Sequence, residues 1–213
     1  MSIHEECGVF GIYDPAGDCA RTTYYGLYSL QHRGQEACGI ATINDRELSY
    51  HKDLGLVGDV FHQDVLDRLG GTMAVGHVRY STTGGVRREN AQPLTLKYVK
   101  GTLAVAHNGN LVNTPELRTS FEYRGAIFQT TTDSELIAYA IAQERLRCGS
   151  AEEAVCQAVK GLRGGVFPHR HVGPEADRRS GPLGLPAPVH GQKGAGGGIC
   201  LGILRSGRGG SRL

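Results

Sequence analysis

The sequence lacks any long apolar run. Nowhere do about eighteen or more apolar residues follow one another, which is the length that a membrane-spanning helix needs. Its first residues also lack the basic flank and apolar core of a secretory signal. We therefore expect neither a membrane span nor export. With 213 residues and 39% apolar content, the chain can form one domain of good size, with or without an appendage.

Paired cysteine motifs are missing as well. The 6 cysteines are scattered without any C-x-x-C pair: Cys7, Cys19, Cys38, Cys148, Cys156 and Cys200. This distribution argues against a zinc ribbon or a disulfide framework and is typical of a reducing, cytoplasmic compartment. His32 and Cys38 match no common metal-site spacing. The sequence therefore predicts a cytoplasmic protein with no metal site and no cofactor in this chain.

Composition changes abruptly near Gly164. The formal net charge of the whole chain is +2, but seven of its basic and only two of its acidic residues follow that point, together with five of its 8 prolines. No helical or strand periodicity lasts more than a few residues there, and two segments are of low complexity. Such a stretch buries too little apolar surface to offset its backbone entropy. We predict a domain over residues 7–163, preceded by a leader (1–6) and followed by a disordered tail (164–213).

Within residues 7–163 the pattern alternates between strands and helices. Periodicity predicts strands at 7–12, 37–43, 48–52, 73–79 and 102–107. Helices are predicted at 22–32, in part of 54–69, after the Asn113-Thr114-Pro115 start, at 133–148, and from the Ser150/Glu153 capping box to about residue 162. The residues between successive elements are polar or rich in Gly, as expected for turns.

Cys7 stands immediately before the first apolar run. A lone cysteine in this position is usually just a buried residue. If residues 1–6 were removed, however, Cys7 would carry a free α-amine, whose pKa of about 7.7–8.0 suits a general base for its own thiol. An internal cysteine has only a non-basic amide nitrogen. The sequence therefore makes Cys7 a conditional candidate for a nucleophile.

Four polar clusters lie where strands end or helices begin. Such positions are where sites are built on a rigid scaffold, although each cluster alone is weak evidence. In chain order they read Gln31-His32-Arg33-Gly34-Gln35-Glu36, His77-Val78-Arg79-Tyr80-Ser81-Thr82, His107-Asn108-Gly109-Asn110 and Thr130-Thr131-Thr132-Asp133-Ser134-Glu135.

Together with Cys-Gly-Val-Phe-Gly-Ile at 7–12, this ordered series resembles the class II glutamine amidotransferases. The first two clusters look closest to the amidophosphoribosyltransferase branch, which opens purine synthesis. The resemblance covers residues 5–163. It implies an α+β architecture, the αββα sandwich of the N-terminal-nucleophile hydrolases, here incomplete at its C-terminal end. It also implies a removable leader, so that Cys7 becomes the first residue.

The same resemblance implies the roles of individual residues. Cys7 would attack the side-chain amide of glutamine, with Asn108 and the backbone N–H of Gly109 as the oxyanion hole. Arg79 would hold the substrate's α-carboxylate and Asp133 its α-ammonium group. Two roles are held more loosely: Thr82 would add a hydrogen bond, and Arg33 belongs to the motif beside the nucleophile.

The resemblance ends near Gly164. Longer relatives continue with further strands and a phosphoribosyltransferase domain. The resemblance implies that they use Mg²⁺ with phosphoribosyl pyrophosphate and form homo-oligomers, and that some of them carry a 4Fe–4S cluster. No such strand or phosphate-binding pattern is evident after Gly164. The sequence there changes abruptly to one rich in Gly, Arg and Pro, as a shift of the reading frame in the gene would produce. We therefore expect the glutaminase half alone, with glutamine as its small-molecule partner and reduced stability.

Two alternatives remain. The domain could belong to another class II amidotransferase, such as an aminosugar synthase, because the acceptor domain defines the product. In a different class of function, the Arg-Gly spacing at 205–212 resembles disordered RNA-binding segments, although interleaved aromatic residues are missing there.

Overall fold

The computed structural model describes residues 7–44, 47–80, 87–164, 167–170 and 198–204. Within these ranges the chain forms two four-stranded sheets with helices on their outer faces. The first sheet is built from β1 (Gly8–Tyr13), β2 (Ala37–Asn44), β3 (Glu47–Leu54) and β4 (Met73–Arg79). The second contains β5 (Leu94–Tyr98), β6 (Gly101–Asn108), β7 (Phe167–Arg170) and β8 (Gly198–Leu204).

The first sheet has the strand order β1-β4-β2-β3 and is antiparallel throughout. Its register places Gly8 opposite Val78 and Ala37 opposite Arg79, so the start of β1 and the end of β4 lie at the same edge. Helices α1 (Cys19–Ser29), α2 (Val57–Val60) and α3 (Gln63–Leu69) cover its outer face. Leu27, Ile40 and Val57 are fully buried in the core that they share.

The second sheet has the strand order β5-β6-β8-β7, with β7 and β8 parallel to each other. Helices α4 (Thr114–Glu122), α5 (Ser134–Arg147) and α6 (Ala151–Lys160) lie on its outer side. Leu103, Leu136 and Ile137 are fully buried in this second core.

A thin third core lies between the sheets. It is made largely of small side chains, from Ala41 and Val75 of the first sheet and Ala104 and Ala106 of the second. Because alanines allow the two backbones to approach closely, the ends of β4 and β6 come near each other. The αββα layers predicted from the resemblance are therefore confirmed.

Helix boundaries differ in detail from the prediction. Helix α1 begins at Cys19, three residues early, because the carboxylate of Asp18 accepts the backbone N–H of Arg21 and serves as the N-cap. It ends at Ser29, and a separate 3-10 turn covers Gln31–Arg33 before Gly34. The capping role of Ser150 is confirmed, since its hydroxyl accepts the N–H of Glu153 at 3.1 Å.

The sequence prediction missed strand β5 and was wrong to expect no strand after Gly164. Strand β8 pairs with β6 from Thr102 to Asn108, and β7 pairs with β8. An unpaired edge of β6 would leave a row of N–H and C=O groups without partners, and pairing with β8 satisfies them. Local periodicity carries no information about a pairing so distant in sequence. The remaining tail residues, 165–166, 171–197 and 205–213, lie outside the described residues. The Arg-Gly segment of the RNA-binding alternative is among them.

Among the residues that the structure describes, no helix combines the length and apolar composition needed to cross a membrane.

Candidate active site around Cys7

The thiol of Cys7 lies against the backbone of Tyr80, just beyond the end of β4. The N–H of Tyr80 donates to Cys7 Sγ at 3.3 Å, and the thiol donates to the Tyr80 carbonyl at 3.4 Å. Burial raises the pKa of the Cys7 thiol, while the Tyr80 backbone and the positive charge of Arg79 act in the opposite direction. The thiol is therefore held protonated at neutral pH and needs a base before it can attack a carbonyl carbon.

The carbonyl of Cys7 is bound by two side chains from distant segments. Arg33 Nε donates to Cys7 O at 3.2 Å, and Asn108 Nδ2 donates a short hydrogen bond to the same oxygen. Arg33 ends the 3-10 turn after α1, and Asn108 is the last residue of β6. Both polar clusters therefore meet at the residue proposed as nucleophile.

Glycines allow these segments to approach each other so closely. A Cβ atom on Gly34 would lie 2.6–2.7 Å from backbone atoms of Val78 and Arg79, and one on Gly8 would lie 2.8 Å from Val78 Cγ2. The N–H of Glu36 then donates to the Arg79 carbonyl at 3.1 Å. The glycine in each motif is thus required by packing against the end of β4.

Gly109 follows Asn108 with φ of +155°, a backbone conformation that residues with a Cβ seldom adopt. The chain turns away from the sheet at this point. Because the chain changes direction at Gly109, the Asn108 side chain and the peptide between Asn108 and Gly109 lie at the same sheet edge as Cys7.

Arg79 is buried, with only 4% of its surface exposed, as the last residue of β4. Its positive charge is close enough to Cys7 to favour the thiolate form. Arg79 is therefore a buried cation at the end of β4 whose charge acts on the Cys7 thiol.

Asp133 is the N-cap residue of α5, but its side chain does not cap that helix. Asp133 Oδ2 instead accepts the N–H of Leu111 at 2.8 Å, and Oδ1 lies 3.6 Å from Nδ1 of the buried His107. Burial opposes ionisation, but His107 and the Leu111 N–H outweigh it and lower the pKa of Asp133. The carboxylate is therefore ionised at neutral pH.

The loop after β6 joins this carboxylate to the nucleophile. Asn108 contacts Cys7 and Leu111 contacts Asp133, and a chain of three residues spans at most about 11 Å. Asp133 is therefore connected to Cys7 through one short segment, from Asn108 to Leu111.

Beneath the site lie two histidines and a glutamine, all buried. His77 Nε2 donates to the His107 carbonyl at 3.2 Å, and Gln92 contacts both the N–H and the carbonyl of His107. Among the described residues, His77 Nδ1 is one of the buried atoms without a hydrogen-bond partner. Burial, opposed by the His107 carbonyl and reinforced by the charges of Arg79 and Lys52, lowers the pKa of His77 to about 3.

The structure thus brings together five of the predicted site residues by direct contact or proximity, and Asp133 through Leu111. These five are Cys7, Arg33, Arg79, Asn108 and Gly109. Thr82 lies outside the described residues. Sequence reasoning missed the Tyr80 backbone, which carries no side-chain signal, and Gln92, whose only sequence signal is its position before Pro93 at the start of a strand.

No three His, Cys, Asp or Glu side chains of the described ranges are arranged to hold a metal ion.

Over most of its length the chain is similar to known proteins. A family model described as a glutamine amidotransferase domain matches residues 77–165. The amidophosphoribosyltransferase of Synechocystis sp. is 58% identical over 141 residues, which are 66% of this chain and 28% of the relative. That of Methanocaldococcus jannaschii is 48% identical over 159 residues, or 74% of this chain and 34% of the relative. The chain therefore spans about a third of these relatives.

Solved structures give the same result. Glutamine phosphoribosylpyrophosphate amidotransferase from B. subtilis, complexed with ADP and GMP, superposes with a TM-score of 0.65 at 42% identity, over 73% of this chain and 33% of the other. A structure described as the allosteric regulatory enzyme of purine biosynthesis matches with a TM-score of 0.66, also at 42% identity, over 74% and 33%. Residues 77–165 of this chain therefore match a glutamine amidotransferase domain, and the chain is similar to about a third of the length of amidophosphoribosyltransferases.

Proposed function

We propose that residues 7–163 hydrolyse the side-chain amide of glutamine through a thioester on Cys7. The observation that carries the proposal is the convergence of Arg33, Asn108 and the Tyr80 backbone on Cys7, from three segments distant in sequence. Arg33 and Asn108 donate to the Cys7 carbonyl, and the Tyr80 N–H donates to its sulfur. The Asn108 amide is thereby held beside the nucleophile, and its second N–H is a donor for the oxygen of an attacked amide.

The reaction proceeds in two halves. The sulfur attacks the amide carbon of glutamine, while the thiol proton passes through the α-amine of Cys7 to the leaving nitrogen, which departs as ammonia. Water then attacks the thioester, releases glutamate and restores the thiol. Asn108 and the N–H of Gly109 stabilise the negative oxygen in both tetrahedral intermediates. Bond formation and proton transfer balance without an external reagent.

Two charged residues select the amino acid end of the substrate. The guanidinium of Arg79 suits a carboxylate because its planar fork can donate two parallel hydrogen bonds. Asp133 is supported as the partner of the α-ammonium group by its lowered pKa, which keeps it ionised. We assign Thr82 an additional hydrogen bond to the substrate on the strength of its motif alone.

The α-amine exists only after residues 1–6 are removed, so maturation is part of the proposal. A raised thiol pKa supports it, because a protonated thiol needs a nearby base and the α-amine is one.

The wider role follows from the relatives. In a longer chain of this family, the ammonia would form 5-phosphoribosylamine from phosphoribosyl pyrophosphate in purine synthesis. Mg²⁺, any 4Fe–4S cluster and homo-oligomer contacts would then belong to the parts of those chains that this one does not span. The unpaired cysteines of the described residues support a cytoplasmic location.

The proposal is tested by measuring glutamate release from glutamine with the purified chain, together with its intact mass. We expect activity only in protein whose mass begins at Cys7. Cys7→Ser should abolish glutamate release and also reaction with a glutamine analogue that carries a chloroketone in place of the amide.

The matched control is Cys156→Ser, because Cys156 is an exposed free cysteine on α6. This variant should keep full activity and full labelling. Glutamate release by Cys7→Ser, or activity from protein that retains its leader, would contradict the proposal.

A further inference from the structure

We propose that Gln92 is a positioning residue, which fixes the peptide backbone immediately before Asn108 and so aims the oxyanion hole. This inference rests on the proposed glutaminase function. At the C-terminal end of strand β6, the backbone pairing with β5 has already stopped.

The ladder between β5 and β6 ends at the pair Leu94 and Val105. Continuing the register would put residue 92 opposite His107, but Pro93 has no N–H to donate to the ladder. The backbone of residue 92 follows another course: a Cβ on Gly39 would lie 2.2 Å from the Gln92 carbonyl oxygen. The Gln92 main chain is therefore packed on strand β2 of the first sheet.

The side chain of Gln92 takes over the pairing instead. Its Oε1 accepts the N–H of His107 at 2.7 Å, and its Nε2 donates to the carbonyl of the same residue at 3.3 Å. A primary amide thus occupies the place of a strand peptide. Gln92 is only 6% exposed, so water cannot readily replace either hydrogen bond.

A second donor completes the arrangement. His77 Nε2 donates to the same His107 carbonyl at 3.2 Å, from strand β4 of the first sheet. Gln92 and His77 therefore connect the end of β6 to the opposite sheet, which also carries Tyr80 and Cys7 at its edge.

Asn108 follows His107 directly, so the orientation of its side chain depends on the His107 peptide. The Asn108 side chain donates to Cys7, and Gly109 at φ +155° is placed by the same turn. Small displacements of an oxyanion hole are costly, because a misplacement of about 1 Å can reduce a rate about a hundredfold. Gln92 acts on the reaction through this backbone and does not touch the reacting atoms.

The test compares Gln92→Met, which keeps the length of the side chain but loses both hydrogen bonds, with Thr42→Val. Thr42 is also buried and donates a 2.8 Å hydrogen bond to Leu69 O, on the far side of the first sheet. We expect Gln92→Met to lower kcat for glutamine hydrolysis about 10- to 100-fold with little change in KM. Thr42→Val should lower the melting temperature but leave kcat unchanged.

Two further measurements separate positioning from general destabilisation. Alkylation of Cys7 by iodoacetamide does not use an oxyanion hole, so its rate should be the same in Gln92→Met and wild type. The double variant Gln92→Met with Asn108→Ala should be no slower than Asn108→Ala alone, because both changes disable the same device.

Amide hydrogen exchange of a peptide containing residues 107–111 gives a readout that does not depend on activity. Exchange there should accelerate in Gln92→Met and not in Thr42→Val. Unchanged exchange, or a kcat equal to that of Thr42→Val, would overturn the inference. If the wild-type chain fails to hydrolyse glutamine while this exchange difference persists, the proposed function and the effect of Gln92 on catalysis are both refuted. Only the role of Gln92 in holding the His107 backbone would then remain.

Discussion

Lowering the pH should destabilise this domain through His77, a neutral histidine in the interior. The ring is fully buried, and its Nε2–H is used by the His107 carbonyl. Protonation would add a hydrogen to Nδ1, which has no acceptor among the described residues. The cationic groups of Arg79 and Lys52 nearby also oppose a further positive charge.

The sign and size follow from the two pKa values. In the unfolded chain the histidine titrates near about 6.5, whereas in the folded protein its pKa is lowered to about 3. Between these values the unfolded state binds more protons, so stability is lost as the pH falls. From pH 7 to pH 5 the loss attributable to His77 alone is about 2 kcal/mol.

Urea unfolding at pH 7 and pH 5 measures this contribution, with His77→Gln as the comparison. Gln can donate the same hydrogen bond but does not titrate. The drop in unfolding free energy between the two pH values should be about 2 kcal/mol larger for wild type than for His77→Gln. With a typical dependence of the unfolding free energy on urea concentration, this corresponds to a difference of about 1 M urea in the shift of the unfolding midpoint. Asp133 has a lowered pKa as well, but its contribution is lost only below about pH 4. Equal drops in the two proteins would refute a neutral buried His77.

Two further predictions concern catalysis. Asn108→Ala should reduce kcat for glutamine hydrolysis about 100- to 1,000-fold, as expected for losing one oxyanion donor, with KM nearly unchanged. The control is Asn113→Ala, which removes side-chain hydrogen bonds to Gly161 and Arg163 and should affect stability only. An equal loss of kcat in both variants would contradict the assignment of Asn108. The acid limb of kcat/KM should have an apparent pKa near about 8, the range of an α-amine, because activity rises as that base loses its proton. A limb above about pH 9 would instead report the thiol of Cys7, whose pKa burial raises.

The elements that the sequence predicted correctly share a physical cause. Strands β1, β2, β4 and β6 are short, largely apolar runs, so each is visible as a strand in the local pattern. The start of α6 was visible too, because a capping box is a contact between residues three apart.

The elements that were missed depend on distant partners. Strand β5 is short and follows a proline, and β8 is stabilised by pairing with β6 along an edge that local sequence cannot reveal. The start of α1 was displaced because the prediction began the helix at Thr22, whereas the fold uses Asp18 as the N-cap.

By itself, the sequence determined which residue types could do the chemistry. A cysteine beside a chain start, an Asn-Gly after a strand, and glycines at the ends of motifs can be identified from residue type and spacing. Gly34 is an example, because the absence of a Cβ atom allows its backbone to contact β4, and this absence follows from the residue type alone.

Only the tertiary structure decided how those residues meet. It placed Arg33 and Asn108 on one carbonyl of Cys7, and the Tyr80 backbone on its sulfur. It also gave Gln92 its role as a substitute strand peptide. These contacts join residues up to 101 positions apart. The physical reason is that hydrogen bonds across two packed sheets depend on strand register and sheet stacking, which no local pattern encodes.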